Sequence, residues 1–434
     1  MLLYSTILSN RLAYICNTIF GNHITLTSNV EAAKAYTGLL INYSNNKLSD
    51  TELHICPNDL LFEVDLKPQI IECFNWSNTT AFFKTTDGIG FDVLAASFYL
   101  ISRYEEYTCN ETDEHHSFFY KNSIAFKANF LQTPLVNVWW KKLQHDYPQL
   151  QLAQSTFTFC STFDIDIAYK YKHHAYFKNI ASSLKELLTF KFDALILRWK
   201  TFFKSNINDP YDVFNWLESQ HQQYNIQATY FCMSQLKRSK YDVNLSIHNK
   251  GLKQLYQSIN KTNQIGIHPS YNAGLQQLNG VDSSLKSEIQ QLQSVLQQPI
   301  KKSRQHYLVM QLPHTYNTLI ANNIKEDFSL GYNGVNGFRA SYCKPFYWFN
   351  LHTNNTTNLL LHPFCAMDSN YFFFKNYTQA SALTELKNFY HSVKQYDGEL
   401  VIIFHNHFNE NTNNKINWKE LYQQFLAYTH TQKF

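Results

Sequence analysis

The sequence predicts an α/β chain in which a distorted (β/α) barrel follows a small α+β domain. Two observations carry this. From about residue 155 onward, strand-like runs alternate with amphipathic helices and the series ends on a strand. Before that, short apolar runs such as Leu60–Val64 and Ile70–Phe74 are separated by polar turns, with one longer apolar segment, Phe91–Tyr107, patterned as a helix with a wide buried face. A length of 434 residues suits more than one domain. The expected division is residues 1–150 and 151–434, with an inserted helical segment at about 170–208.

In the barrel half, Thr156–Phe163 alternates Thr and Phe and runs into Asp164. Ile226–Met233, Ile265–His268, Gly337–Arg339 and Leu400–Phe404 read as further strands. Asp209-Pro210 predicts a helix start running to about Tyr224. Asp282 can cap a helix carrying Leu285, Ile289, Leu292 and Leu296. Thr378 can cap another, stopped by Gly398. Ser182–Lys204 is apolar, aromatic and basic. It fits either a helix pair packed on the rest of the chain or an interfacial membrane contact.

Composition excludes little but is not silent. Hydrophobic residues make up 44% and charged residues 16%, with a net charge of +4 and no dense Lys/Arg stripe, so nucleic acid is not an expected partner. No run approaches the roughly 20 apolar residues of a membrane span, and the first residues lack a basic, uninterrupted signal pattern. A cytoplasmic location is the resulting expectation. The eight cysteines form no CxxC pair and are expected as buried reduced thiols. Asp113, His115 and His116 are expected in a solvated loop, because no third ligand stands at a useful spacing.

Chemistry concentrates at strand ends. Residues i and i+2 of a strand point the same way, so Asp164 and Asp166 leave the first barrel strand together. Two adjacent carboxylates resist joint ionisation unless a cation compensates them. One can then bind a metal while the other serves as a base; alternatively both cap a turn. His268-Pro269, Arg339 and His405 end other strands, and the carboxyl ends of barrel strands are where catalytic groups gather.

With these segments, the sequence resembles the polysaccharide deacetylases, metal-dependent carbohydrate esterases, over roughly residues 155–410. The motifs are Thr162-Phe163-Asp164-Ile165-Asp166, His268–Tyr271, Ser303–Tyr307, Gly337–Ala340, Pro363–Asp368 and Phe404–Asn406. The match is to a bacterial subgroup in which a domain of unknown function precedes the barrel, and Ser97–Tyr107 resembles a segment of that domain. The resemblance implies removal of an N-acetyl group from a saccharide or glycoconjugate. One divalent metal, zinc, would be held by Asp166, His268 and His306. Asp164 would be the base, Arg339 its partner and His405 the acid. Asp368 would orient His405 or another active-site group, or else merely cap a loop, and a backbone N–H near Tyr342 would hold the oxyanion. Tyr271, Tyr342 and Trp348, with Phe346 and Tyr347, form either a saccharide-stacking wall or core.

The family's second motif carries another His four residues upstream, where this chain has Gln264. His306, expected on the next strand, is the candidate substitute. The same departure raises two alternatives: a glycan-binding pseudoenzyme with a degenerate site, or an amidohydrolase acting on another small molecule.

Overall fold

The structure, a computed structural model, describes residues 1–86, 88–109, 111–204, 207–373, 377–410 and 416–432. Near the N-terminus, β1 (Leu2–Ser5), β2 (Thr25–Thr27), β3 (Leu40–Tyr43) and β4 (Leu53–Ile55) form a parallel sheet in the order β2-β1-β3-β4. The Asn10–Phe20 helix starts where the Ser9 side chain accepts the Leu12 N–H. A small hairpin follows, β5 (Phe74–Trp76) with β6 (Thr79–Ala81).

The Phe91–Tyr107 run is two helices rather than one. Val93–Ile101 is buried at all nine positions and Tyr104–Thr108 follows it, with Arg103 between them in the left-handed region at φ 58°. The first helix is apolar all round because it is covered all round. Phe98 packs on Tyr14 of the Asn10–Phe20 helix at 6.0 Å and on Phe349 of the second half of the chain at 5.3 Å.

The C-terminal half builds a nine-stranded curled sheet. Its strands are β7 (Thr158–Ile165), β8 (Thr229–Met233), β9 (Gln264–His268), β10 (Lys302–Ser303), β11 (Glu326–Asp327), β12 (Phe346–Asn350), β13 (Asn355–Leu361), β14 (Phe364–Met367) and β15 (Glu399–His405). The order is β12-β13-β11-β10-β9-β8-β7-β15-β14, and every neighbouring pair is parallel except β12 with β13. The sheet curls until β14 meets the chain leaving β11: the Phe364 N–H donates to the Leu330 carbonyl at 3.1 Å. The space enclosed is filled by Phe231, Phe328, Phe364, Val401 and Ile403. This is the mixed α/β barrel architecture that the β/α alternation predicts.

The expected helices over 283–296 and 379–395 are present. Thr378 and Ser381 form a reciprocal cap on the second, and the Gly398 N–H closes its end on the Val393 carbonyl at 3.0 Å. Three local expectations are corrected. Gly337–Arg339 is a turn, not a strand, because it is drawn onto the N-terminal half. The Phe338 N–H donates to the Leu131 carbonyl at 2.7 Å, and a Cβ on Gly337 would stand 2.5 Å from that oxygen. The helix expected from Asp209 starts only at Phe214. The Asp209 carboxylate instead accepts the N–H groups of Lys170, Tyr171 and Lys172 at 2.7–2.9 Å, tying down the chain that leaves β7. His306 stands in a tight turn after β10, where Tyr307 has φ 54°, and not on a strand.

The 182–204 region forms an antiparallel pair of helices, Tyr176–Leu188 and Phe192–Phe203. Packing of their apolar faces on the rest of the chain is not what the fold does. Phe177, Leu184, Leu188, Phe190, Ile196 and Phe203 are all exposed. All eight cysteines are free; Cys16, Cys232, Cys343 and Cys365 are buried, whereas Cys73 is exposed. Among the described residues no helix is long and apolar enough to cross a membrane.

Candidate functional site

Parallel register brings the chemistry to one end of the barrel. Asp164 of β7 pairs across to His405 of β15 and to Phe231 of β8, and Met233 of β8 pairs with His268 of β9. Asp166 lies one residue beyond β7. His306 follows β10 by three residues, at the same end.

Asp166, His268 and His306 form the group among the described residues whose ligand atoms all lie within 4.8 Å of one another. Asp166 Oδ1 is 3.1 Å from His268 Nε2 and 3.7 Å from His306 Nε2. Ligands held tetrahedrally at about 2.0–2.1 Å from zinc stand about 3.3 Å apart. The outer nitrogens are committed elsewhere. His268 Nδ1–H donates to the Arg304 carbonyl at 2.7 Å, and His306 Nδ1–H donates to Asp242 Oδ1 at 3.3 Å. A carbonyl and an ionised carboxylate accept only, so Nδ1 of each ring carries its proton outward and Nε2 is the atom turned toward Asp166. Such carbonyl and carboxylate partners are what metal-ligating imidazoles carry behind them.

Asp166 Oδ1 is a buried atom with no hydrogen-bond partner satisfying normal geometry. An orphan carboxylate oxygen facing two imidazole nitrogens fits a cation. Burial would raise the Asp166 pKa, but His306, His405 and His268 together hold it well below the usual carboxylate range. Burial likewise opposes charging of His268, yet Asp164 and Asp166 raise its pKa. The cluster therefore favours positive charge at its centre, supplied by protons or by a metal.

Asp164 sits behind this group. Its Oδ1 is 3.1 Å from Arg304 Nη1, and its Oδ2 is 4.0 Å from His268 Nε2. Arg304 is fully buried in the barrel interior. It also donates to Thr162 Oγ1 at 2.6 Å and the Phe328 carbonyl at 3.1 Å, with its guanidinium 4.4 Å from the centre of the Phe231 ring. The pairing expected between Arg339 and Asp164 is not made. Arg339 is buried against the N-terminal half, where its Nε and Nη2 donate to both carboxylate oxygens of Glu106 at 2.8 and 2.6 Å. Glu106 also holds Arg103 at 2.7 Å. Arg304 stands two residues before His306, just beyond β10, and is a site residue that sequence reasoning missed.

His405 stands across from the His pair, with Nε2 3.7 Å from Asp166 Oδ2. Asp368 grips it twice, accepting from Nδ1–H and from the backbone N–H, each at 2.6 Å. Burial opposes protonation of His405, but Asp368 and then Asp166 raise its pKa to about 10. Among the described residues neighbouring His407 has no such carboxylate partner, and burial lowers its pKa to about 4.

The aromatic candidates divide. Tyr271 flanks the site in a cluster with Tyr241 at 4.2 Å and Tyr307 at 5.7 Å, and Tyr307 lies 4.6 Å from His306. His115 joins this cluster, 4.5 Å from Tyr307, and is buried, so the Asp113–His116 loop is not solvated there as expected. Its aromatic neighbours come from far along the chain, which no local pattern reveals. Tyr342 is not brought to the site. It lines a cavity of about 620 Å³ with Thr156 and Asp397, beside the starts of β7 and β15, and the Cys343 carbonyl accepts the Glu399 N–H at 2.8 Å. An oxyanion donor near Tyr342 is therefore at the wrong end of the barrel. Trp348 is core, its indole N–H donating to Tyr107 Oη at 3.2 Å, and Phe346 is also buried. Gln264 opens β9, and His268 closes it, so Gln264 is one strand length from the site and hydrogen-bonds Gln227 at 3.2 Å.

Residues 1–150 match a family described as one of unknown function, DUF7033. No curated protein matches the chain. Among solved structures, a Mycobacterium smegmatis protein classed as a polysaccharide deacetylase is 12% identical, covering 64% of this chain and 85% of that one, with a TM-score of 0.40. PuuE allantoinase is 9% identical, with coverages of 64% and 85% and a TM-score of 0.40. The polysaccharide deacetylase Bc1974 from Bacillus cereus is 10% identical, with coverages of 64% and 89% and a TM-score of 0.31. Values this low carry no activity, substrate or residue role to this chain.

Proposed function

We propose that this protein is a metal-dependent hydrolase that removes an N-acetyl group from a saccharide or glycoconjugate. The observation that carries the reading is the buried Asp166 Oδ1, without a hydrogen bond of normal geometry, facing the Nε2 atoms of His268 and His306, with a second carboxylate and an imidazole–carboxylate pair beside it. Asp166, His268 and His306 hold one divalent ion, and zinc suits two nitrogens and a carboxylate. When bound, such an ion acidifies water and polarises the amide carbonyl.

The rest falls to the chain's own groups. Asp164 Oδ1 is taken by Arg304, which leaves Oδ2 to accept the proton of water as its oxygen attacks the acetyl carbon. Arg304 keeps that carboxylate oriented from inside the barrel. His405, held by Asp368, gives its Nε2 proton to the departing amine as the C–N bond breaks, and acetate is the second product. Positioned acids of this kind contribute about 10²–10⁴-fold. Tyr271, Tyr307 and Tyr241 offer ring faces on which a sugar stacks. A degenerate site is disfavoured, because Gln264, which motivates it, stands at the other end of β9.

The test combines metal content with turnover of acetylated oligosaccharides. Asp166→Ala and His268→Ala should each abolish bound metal by elemental analysis. Asp164→Asn should keep the metal and lose acetate release. Unchanged metal in the first pair refutes the ligand set, and full activity in the third puts the base elsewhere.

A further inference from the structure

The Tyr176–Leu188 and Phe192–Phe203 helices are inside out for a surface element. Their buried residues are polar: Asn179 in the first helix, Arg198 and Thr201 in the second. Arg198 holds the pair together. It donates to both Glu186 carboxylate oxygens at 2.6 and 3.0 Å and to Asn179 Oδ1 at 2.9 Å, and its guanidinium lies 4.7 Å from the centre of the Tyr171 ring. The apolar residues face outward. Phe177 is 76% exposed, Leu188 70% and Phe190 80%, with Leu184, Ile196 and Phe203 also exposed. Phe177, Leu184 and Leu188 are spaced i, i+7, i+11 and Ile196 and Phe203 i, i+7, so each helix turns an apolar stripe outward, and exposed apolar surface marks an interaction site.

We propose that this helical hairpin docks the protein on an anionic lipid bilayer, with the turn around Leu187–Phe192 entering the headgroup–acyl boundary. Charge identifies the occupant. Residues 176–204 carry five lysines and Arg198 against Glu186 and Asp193, a net +4, equal to the formal net charge of the whole 434-residue chain. Arg198 is neutralised by Glu186 within the hairpin, whereas Lys185, Lys191, Lys200 and Lys204 are exposed around the apolar residues. Protein–protein interfaces are depleted in lysine. Helices lying on membranes carry lysines beside Phe, Leu and Trp, with long stems that let the ammonium reach phosphate. Tyr176 and Trp199, 5.7 Å apart, supply the aromatic pair favoured at that depth. At 13 and 12 residues the helices are too short for the roughly 20 residues of a span, so they lie on the surface.

The hairpin is rooted at the site end of the barrel. Asp209 fixes the backbone of Lys170–Lys172, and Asn406, the neighbour of His405, donates to the Ile167 carbonyl at 2.9 Å. Docking would thus bring the opening of the site to the headgroup layer. On the deacetylase reading, the substrate is then a saccharide carried on a lipid. That clause rests on the proposed function; the docking does not.

Co-sedimentation of the full chain with phosphatidylcholine vesicles, with and without phosphatidylglycerol, tests this. Binding should be about tenfold or more tighter with phosphatidylglycerol and should weaken with salt. The double variants L188S/F190S and K185E/K191E should each lose about tenfold or more of that binding. Their urea unfolding midpoints should match the wild type, showing an intact fold independently of any metal or acetate assay. Absence of binding to anionic vesicles, or binding that both double variants retain, overturns the proposal. So does a dimer by light scattering that L188S/F190S converts to a monomer without vesicle binding, which would make the hairpin a contact between copies.

Discussion

Arg304 meets Asp164 inside the barrel, Nη1 to Oδ1 at 3.1 Å, with neither side chain exposed by more than 5%. Removing one member of such a buried pair leaves the other without compensation, and the guanidinium fixes the orientation of the Asp164 carboxylate.

Arg304→Met should destabilise the protein by about 3–5 kcal/mol, because it strands the Asp164 charge. Asp164→Asn combined with Arg304→Met should recover part of that loss, since the stranded charge goes with it. Urea unfolding of the three variants in metal-free buffer gives the values. Additive losses would mean the two side chains are not coupled.

Asp242 stands behind His306 as its carboxylate partner at 3.3 Å. Replacing Asp242 with Asn should weaken zinc binding about 10–100-fold while leaving one ion per chain at saturation. Competition with a chelating dye measures the constant, and an unchanged constant would remove Asp242 from the centre.

Burial opposes the charge on His405, but Asp368 and then Asp166 outweigh it and push its pKa up to about 10. Its pKa in the unfolded chain is about 6.5. The folded value is the higher, so the stability contributed by the charged pair is fully present below about pH 6.5 and disappears as pH rises through about 10. In metal-free protein, Asp368→Asn should lower the stability measured near neutral pH and flatten its alkaline decline. On the proposed hydrolase reading, the alkaline limb of kcat/KM should move to lower pH in the same variant. A limb that stays in place would assign the acid to another group.

Glu106 and Arg339 join the two halves of the chain through a buried bidentate pair. Arg339→Met should cost about 3–5 kcal/mol in thermal or urea unfolding, with zinc stoichiometry unchanged. Loss of metal in this variant at full folding would return Arg339 to the site.

Periodicity made the strands legible because each barrel strand must hide one face and present its end. Asp164, Asp166, His268 and His405 were visible for the same reason: polar residues closing apolar runs. Arg304 was hidden by its own success at burial, since a guanidinium inside a barrel looks, in sequence, like one on a surface. Arg339 misled for the converse reason. Its pairing depends on Glu106, 233 positions away, and nothing near Gly337–Ala340 reports that. Asp242 and His115 lie in loops without period, where only the folded chain says what a side chain faces. The inverted hairpin was half legible: its composition was plain, but which face pointed outward was decided by Arg198 finding Glu186 and Asn179.

The His115 ring rests on Tyr307, and Tyr307 rests on His306. The N-terminal half therefore supplies part of the wall beside the candidate metal centre, and a barrel expressed alone from residue 151 would open that wall to water at the same moment as it stranded Arg339. Excision would yield a different binding surface rather than a smaller copy of the same one, and whatever the site admits becomes a property that the two halves hold jointly.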